Sequence, residues 1–306
     1  MKLLDKLVVW SIPFIPRFLV RRVADRYIAG TTLDDAVRVV RQLNEEGCCA
    51  TLDVLGEHIT NRREAEAAVD EYLAAMDRIE HEQLDSNVSV KLTMLGLKLD
   101  YDFCLANMRR LVERAKAHNR FVRIDMEDSS CTTDTLRIYS ELRKDFDNVG
   151  FVIQAYLRRS LKDIREQMQA HANINVRVCK GIYIEPREIA YKDGDIINWN
   201  FMLLTHELLR NGHYVGIATH DEKLVWSSYK LIDELELSND RFEFQMLLGV
   251  DEQLRRLILK EGYKLRVYVP YGKRWYEYST RRLKENPKIA GYVFRNLFGL
   301  KKAGPR

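Results

Sequence analysis

The sequence predicts an α/β protein: a (β/α)8 barrel of TIM type preceded by a helical N-terminal addition. Three observations carry that prediction. From about residue 50, eight short runs of β-forming residues alternate with amphipathic helical runs. The series fills residues 50–286, close to the roughly 250 residues of a typical barrel of this kind. No low-complexity linker interrupts it.

Taken in order, residues 1–49 form the helical addition and residues 50–286 the barrel, followed by a basic tail over 287–306. The first strand is "ATLDVLG". The helix after it is expected to start at Thr60 as N-cap, with Ala65, Val69, Tyr72, Leu73 and Met76 at helical spacing. The remaining strands are "VSVKLT", "FVRIDME", "VGFVIQAY", "INVRVCKGIY", "YVGIATH", "FEFQMLLG" and "KLRVYVPYG", each rich in Val, Ile, Phe or Tyr and each followed by a helical run.

At 306 residues and 46% hydrophobic content the chain can bury a full core as one large domain or two modest ones. Cys48, Cys49, Cys104, Cys131 and Cys179 are an odd number without a CxxC pair, which argues against a disulfide framework and a zinc ribbon and fits a reducing cytoplasm. HExxH, the GxG core of a dinucleotide fingerprint and the Walker loop are absent from the sequence. The net charge of +4 is unevenly spread: residues 1–30 carry +4 and residues 286–306 carry +5, which leaves −5 on the body between them. Those ends also contain "LVVWSIPFIPRFLV" and "YVFRNLFGL", so they fit an anionic membrane surface better than nucleic acid. The first apolar stretch is too short to span a bilayer and lacks a cleavage site, so no signal peptide is expected.

A barrel of this type carries its chemistry at the C-terminal ends of its strands. The residues there are Lys91, Asp125 with Glu127, Gln154, Arg177 with Lys180 and Tyr183, His220, Gln245 and Tyr268. Seven consecutive strands ending in polar groups predict a polar, anion-favouring mouth above an apolar barrel interior. The segment "YEYSTRRLKEN" adds a second anomaly. Tyr278, Arg281, Arg282 and Glu285 follow the i, i+3, i+4, i+7 spacing of one helical stripe, where a surface helix would ordinarily be apolar.

At these residues the chain resembles the flavin-dependent proline dehydrogenases. The matching stretches "VSVKLT", "RIDMED", "VIQAY", "RVCKGIY", "ATHD", "FEFQMLLG", "VYVPYG" and "YSTRRLKEN" occur in the family's order on successive strands. The resemblance implies that the last helix lies over the barrel mouth, with its polar stripe facing the substrate. It implies further that Arg281 and Arg282 clamp the substrate carboxylate, a role suited to the planar bidentate guanidinium. Lys91 would add a positive charge; a structural ion pair between Lys91 and Asp125 is the alternative. Asp125 and Glu285 would orient these cations. Tyr268 and Tyr278 would line the substrate ring, with Leu247 packing on it and Tyr183 close by. Relatives acting on hydroxyproline carry a smaller residue at the Tyr268 position, so the phenol favours proline.

The same resemblance implies FAD as cofactor. Arg177 would reach the flavin N5 region and Gln154 the edge of the ring system, with Lys180, Gly181, Thr219, His220 and Gln245 along the cofactor. The implied reaction takes L-proline to 1-pyrroline-5-carboxylate and passes electrons to a membrane quinone. The product would go to a separate pyrroline-5-carboxylate dehydrogenase, because the chain is too short to hold an aldehyde dehydrogenase module. The implied location is cytoplasmic, with peripheral attachment to an anionic surface at the inner face of the cell membrane. Two positions depart from the family pattern: Ile182 stands where Ala is common, and Ile184 where bifunctional relatives carry Trp. Three rival readings stay open at this stage. One is a Schiff-base aldolase using Lys91 or Lys180. The others are a hydroxyproline dehydrogenase of the same family and a non-enzymatic membrane or nucleic-acid adaptor built on the basic ends.

Overall fold

The computed structural model describes residues 21, 25–56, 59–276 and 278–279. Among the elements of the described residues, helix α1 (Leu33–Glu45) precedes the barrel, opened by a reciprocal capping box in which Thr32 Oγ1 accepts the Asp35 N–H and Asp35 accepts the Thr32 N–H. The alternating series then runs β1 (Cys49–Val54), α2 (Arg62–His81), β2 (Ser86–Val90), a 3-10 turn at Leu92–Leu95 and α3 (Tyr101–Ala117). It continues with β3 (Val122–Ile124), α4 (Ser129–Arg143), β4 (Val149–Gln154), α5 (Ser160–Ala170), β5 (Asn175–Cys179) and α6 (Gly194–Arg210). The last elements of the series are β6 (Tyr214–Ala218), α7 (Glu222–Glu234), β7 (Phe242–Leu247), α8 (Glu252–Lys260) and β8 (Leu265–Tyr271).

The eight strands pair in parallel and in chain order, and β1 closes on β8 with Thr51 opposite Tyr268. All eight predicted strands fall where the sequence put them. Helix α2 starts one residue later than expected. Its N-cap is Asn61, whose side chain accepts the Glu64 N–H at 3.0 Å, while the Glu64 carboxylate reaches back to the Thr60 N–H at 2.8 Å. The Asn amide thus takes the position expected for the Thr60 hydroxyl.

Alternate residues of a strand point to opposite sides of the sheet. Leu52, Val90, Ile124, Phe151, Val178, Ile217, Phe244 and Val267 are buried in one continuous core with helix residues such as Val69, Met108, Tyr139 and Phe201. Each such large apolar side chain contributes roughly 1.5–3 kcal/mol of transfer free energy. The opposite, inward face differs from the expected apolar interior. It carries Thr51, Asp53, Ser89, Arg123, Arg177, Glu243, Gln245 and Arg266, all buried. The correction has a simple cause: the apolar residues are consumed by the helix-facing side. The inward positions carry polar side chains, most of them hydrogen-bonded to one another, as Thr51 is to Ser89, Arg177 to Ser89 and Gln245, and Arg266 to Glu243, while Arg123 donates to the Phe151 and Asn175 carbonyls. Gly216 leaves the room this requires, since a Cβ there would lie 2.5 Å from the Gln245 amide.

Candidate active site

The C-terminal ends of the strands open into a cavity of about 460 Å³, within the range of roughly 300–1,000 Å³ usual for small-molecule sites. Lys91 enters it just after β2, and Asp125 and Glu127 after β3. Gln154 ends β4, Arg177 lies on β5, and Lys180, Gly181 and Tyr183 follow that strand into the cavity wall. Thr219 and His220 follow β6, Gln245 and Leu247 come from β7, and Tyr268 from β8. Tyr278 closes the ring of residues. Arg281, Arg282 and Glu285 lie outside the described residues.

One side of the cavity is a connected set of charges. Lys91 Nζ sits 2.5 Å from Asp53 Oδ1 and 3.4 Å from the Tyr268 hydroxyl. The Tyr268 hydroxyl donates to Asp125 Oδ2 at 2.8 Å, and Arg177 Nη1 donates to Asp125 Oδ1 at 2.6 Å. Thus the ion pair considered between Lys91 and Asp125 is made by Lys91 with Asp53, and Asp125 serves Arg177. The register explains it: Asp53 and Lys91 stand on the adjacent strand ends β1 and β2, and Asp53 is fully buried. Burial pushes the Asp53 carboxyl up against the pull of Lys91. Burial, then the Asp125 and Asp53 carboxylates, hold the Tyr268 phenol well above its ordinary range, which keeps it a donor.

Arg177 is fixed from below as well. It donates to Ser89 Oγ at 3.0 Å and, through Nε, to Gln245 Oε1. Gln245 in turn donates to Glu243, and Arg266 grips Glu243 with two bonds of 2.7 and 3.0 Å. A guanidinium restrained on three sides is pre-positioned, so little conformational entropy remains to be lost when a ligand meets it. The Arg177 guanidinium also lies over the Tyr268 ring, 5.4 Å from its centroid.

The other side presents single polar groups. Gln154 donates to the carbonyls of Met126 and Glu127 at 3.0 and 3.3 Å, and its Oε1 is buried without a partner among the described residues. A buried acceptor left unpaired is costly, so an N–H donor brought by a ligand fits there. Lys180 pairs with Asp221 at 2.7 Å. His220 Nε2 accepts the Leu247 N–H at 2.8 Å, which fixes its ring against β7. Thr219 Oγ1 accepts the Asp221 N–H. Glu127 holds the Thr93 N–H and hydroxyl. Gly181 has φ +103°, and a Cβ there would come within 2.1 Å of the Tyr156 ring, so the chain turns tightly under the cavity.

Sequence reasoning missed Asp53, Ser89, Glu243 and Arg266, although the period-2 pattern of "ATLDVLG" places an acid on the inward face and was the available signal. It also missed Tyr27, which lines the cavity from the N-terminal addition. Nothing local marks that residue, because its position depends on a tertiary crossing. Of the positions noted as departures, Ile182 lines the cavity, while Ile184 is fully exposed beside it. The arrangement offers cationic and hydrogen-bonding groups on one wall and apolar side chains such as Leu247 and Met246 on another, which suits a small amphiphilic anion beside a planar polar group. Among the described residues, no group of three or more His, Cys, Asp or Glu could hold a metal, and no helix is long and apolar enough to cross a membrane.

Comparison with known proteins gives a consistent result. The sequence profile of the proline dehydrogenase family matches residues 36–295. Proline dehydrogenase 1 of Bacillus subtilis is 38% identical over 274 residues, covering 90% of each chain. Proline dehydrogenase of Deinococcus radiodurans is 34% identical over 279 residues, covering 90% of this chain and 89% of its own. Among solved structures, proline utilization A (PutA) from Bdellovibrio bacteriovorus, inactivated by N-propargylglycine, superimposes with a TM-score of 0.82 at 25% identity. That match covers 92% of this chain but 34% of the PutA chain, so this chain spans about a third of that protein.

Proposed function

Given that the chain belongs to the proline dehydrogenase family, oxidoreductases acting on the CH-NH group of donors, we propose that it converts L-proline to 1-pyrroline-5-carboxylate with FAD as cofactor. The observation that carries the proposal is the convergence of Lys91, Asp125, Gln154, Arg177, Tyr268 and Tyr278 on one cavity. The residues present fit the cofactor on an independent ground. Gln154 Oε1 is a buried acceptor in want of an N–H, and Lys180 on its side of the cavity and Arg177 and Gln245 on the other add donors to the same cavity. Bound there, FAD would supply the hydride acceptor that no side chain provides.

The remaining work falls to the chain. Arg281 and Arg282 hold the proline carboxylate, with Lys91 adding charge from the barrel side. Asp53 and Asp125 balance the cations Lys91 and Arg177, so that one anion can be received without leaving the buried site with a large net charge. Tyr268 and Leu247 wall the pyrrolidine ring, and Tyr278 covers it. The electrons pass to a membrane quinone and the product to a separate pyrroline-5-carboxylate dehydrogenase. Lys91 and Lys180 are both held in ion pairs, whereas the aldolase reading asks for a neutral amine nucleophile.

The test is steady-state turnover by purified, FAD-loaded protein with a soluble quinone acceptor, with the product identified by mass spectrometry. Proline-dependent acceptor reduction and a product two hydrogens lighter than proline are expected. Acceptor reduction by no cyclic amino acid would overturn the proposal.

A further inference from the structure

The chain after β5 leaves the barrel wall at Lys180, lines the cavity through Tyr183 and does not become helical again until α6. Its inner part is stitched to the neighbouring segment after β4: Tyr156 N–H donates to the Lys180 carbonyl at 2.8 Å and Tyr191 N–H to the Tyr156 carbonyl at 2.8 Å. Between these stitches, Ile184 points fully into solvent while the next residue, Glu185, is buried. An acid buried beside a fully exposed isoleucine reverses the usual preference of both side chains, so a specific contact must hold it.

That contact lies one strand further on. Glu185 Oε1 accepts the Ser129 N–H at 2.7 Å, and Oε2 accepts the Ser129 hydroxyl at 2.7 Å. Ser129 is the first residue of α4, which follows β3. The carboxylate therefore reaches from the β5 side, over the end of β4, to a helix N-terminus where backbone donors and the helix dipole both favour negative charge. Behind it, Lys192 Nζ donates to the Glu185 backbone carbonyl, so the residue is gripped at both its side chain and its main chain. Gln154, which ends β4, and Gly181 both line the cavity on this side.

We propose that Glu185 is a positioning residue: a latch that fixes the Lys180–Tyr183 segment across the end of β4 and so keeps the cofactor in its cavity. The inference rests on the FAD reading above. Its distinguishing consequence is local. The far end of the segment stays tied, with Arg158 N–H donating to the Ile189 carbonyl at 3.0 Å and Arg158 Nε to the Arg187 carbonyl at 2.8 Å; releasing the latch loosens the stretch between the stitches, and the amides of 180–192 should open more often while the barrel strands do not.

Hydrogen exchange by mass spectrometry on FAD-loaded parent and Glu185→Ala protein, together with FAD retention on dilution, tests it. Losing two charge-assisted bonds should raise exchange in 180–192 by about tenfold or more and weaken FAD retention by a similar factor. Should Glu185→Ala speed exchange throughout the barrel, Ser129→Ala carries the same comparison. It removes the hydroxyl donor alone and should give a local rise of about threefold. Unchanged exchange in 180–192 in these variants overturns the latch, and faster exchange with unchanged FAD retention overturns its role in holding the cofactor. If parent protein takes up no FAD, the functional reading fails, while the exchange comparison still decides whether the latch exists.

Discussion

Two side chains inside the barrel show how a single residue governs the site. Glu243 is fully buried. Burial alone would raise its carboxyl, but the Arg266 guanidinium and its two hydrogen bonds outweigh that and hold it down at about 2, from an ordinary 4.5. A depressed carboxylate stabilises the fold above its unfolded pKa, and that contribution is lost as pH falls from about 4.5 towards 2. At about 1.4 kcal/mol per pH unit it approaches about 3 kcal/mol. Urea unfolding of parent and Glu243→Gln protein across that window should show their stability difference shrinking by this amount. A constant difference would mean that Glu243 is not held as described. The second residue is Tyr268, whose ring stands in the cavity and whose hydroxyl serves Asp125. Tyr268→Ser should lower the preference for proline over 4-hydroxyproline by about ten- to a hundredfold in kcat/KM, the range expected when one apolar wall is removed. Tyr268→Phe keeps the wall and should keep the preference. Comparing both substrates on both variants separates bulk from hydrogen bonding, and an unchanged ratio in Tyr268→Ser would place the phenol away from the substrate ring.

The strands and the segments joining them differ in how far their roles could be read. Eight runs with β-branched residues gave the barrel because parallel strands covered by helices must be apolar on one face at least. The interior was misjudged for a related reason: an inward Arg or Glu in a short strand looks like a loop charge until its partner on a distant strand is known. Arg177 with Gln245, and Glu243 with Arg266, are such partners, 68 and 23 residues apart. The N-terminal segment is the clearest case of an element whose role is invisible locally. Ala29 N–H donates to the Pro270 carbonyl at 2.9 Å and Gly272 N–H to the Gly30 carbonyl at 3.0 Å, so the segment crosses the end of β8 and brings Tyr27 to the cavity. Gly249 makes the crossing feasible. Its φ is +70°, and a Cβ would come within 2.0 Å of the Arg26 carbonyl oxygen. Gly249→Ala should therefore displace the segment, costing about 1–3 kcal/mol of stability and raising KM for proline. A thermal melt and a KM matching those of the parent would show that the crossing does not help to form the site.

At the scale of the whole molecule, the excess of basic residues sits at the two ends of the chain. A body of −5 flanked by ends of +4 and +5 is an arrangement in which only the ends favour an anionic leaflet. Each basic residue near such a surface contributes up to about 1 kcal/mol. The tail from Lys288 to Arg306, outside the described residues, is expected to carry most of the attachment, with Phe294 and Phe298 inserting shallowly. Cosedimentation with anionic vesicles at low and high salt, for the full chain and for a chain ending at Asn286, checks this. Salt-sensitive binding by the full chain alone is expected, and equal binding by both forms would move the attachment elsewhere.

The proposed function turns on hydride transfer from L-proline to a flavin bound in this cavity. It is tested most directly by mixing the FAD-loaded protein with L-proline in the absence of oxygen and any other acceptor, while following the visible absorption of the flavin. The oxidised-flavin band is expected to bleach, with about one pyrroline carboxylate formed per flavin, and Arg281→Met or Arg282→Met to shift the proline concentration needed upward by roughly ten- to a hundredfold. A flavin that stays oxidised at saturating proline, or a protein that binds no flavin, would contradict it.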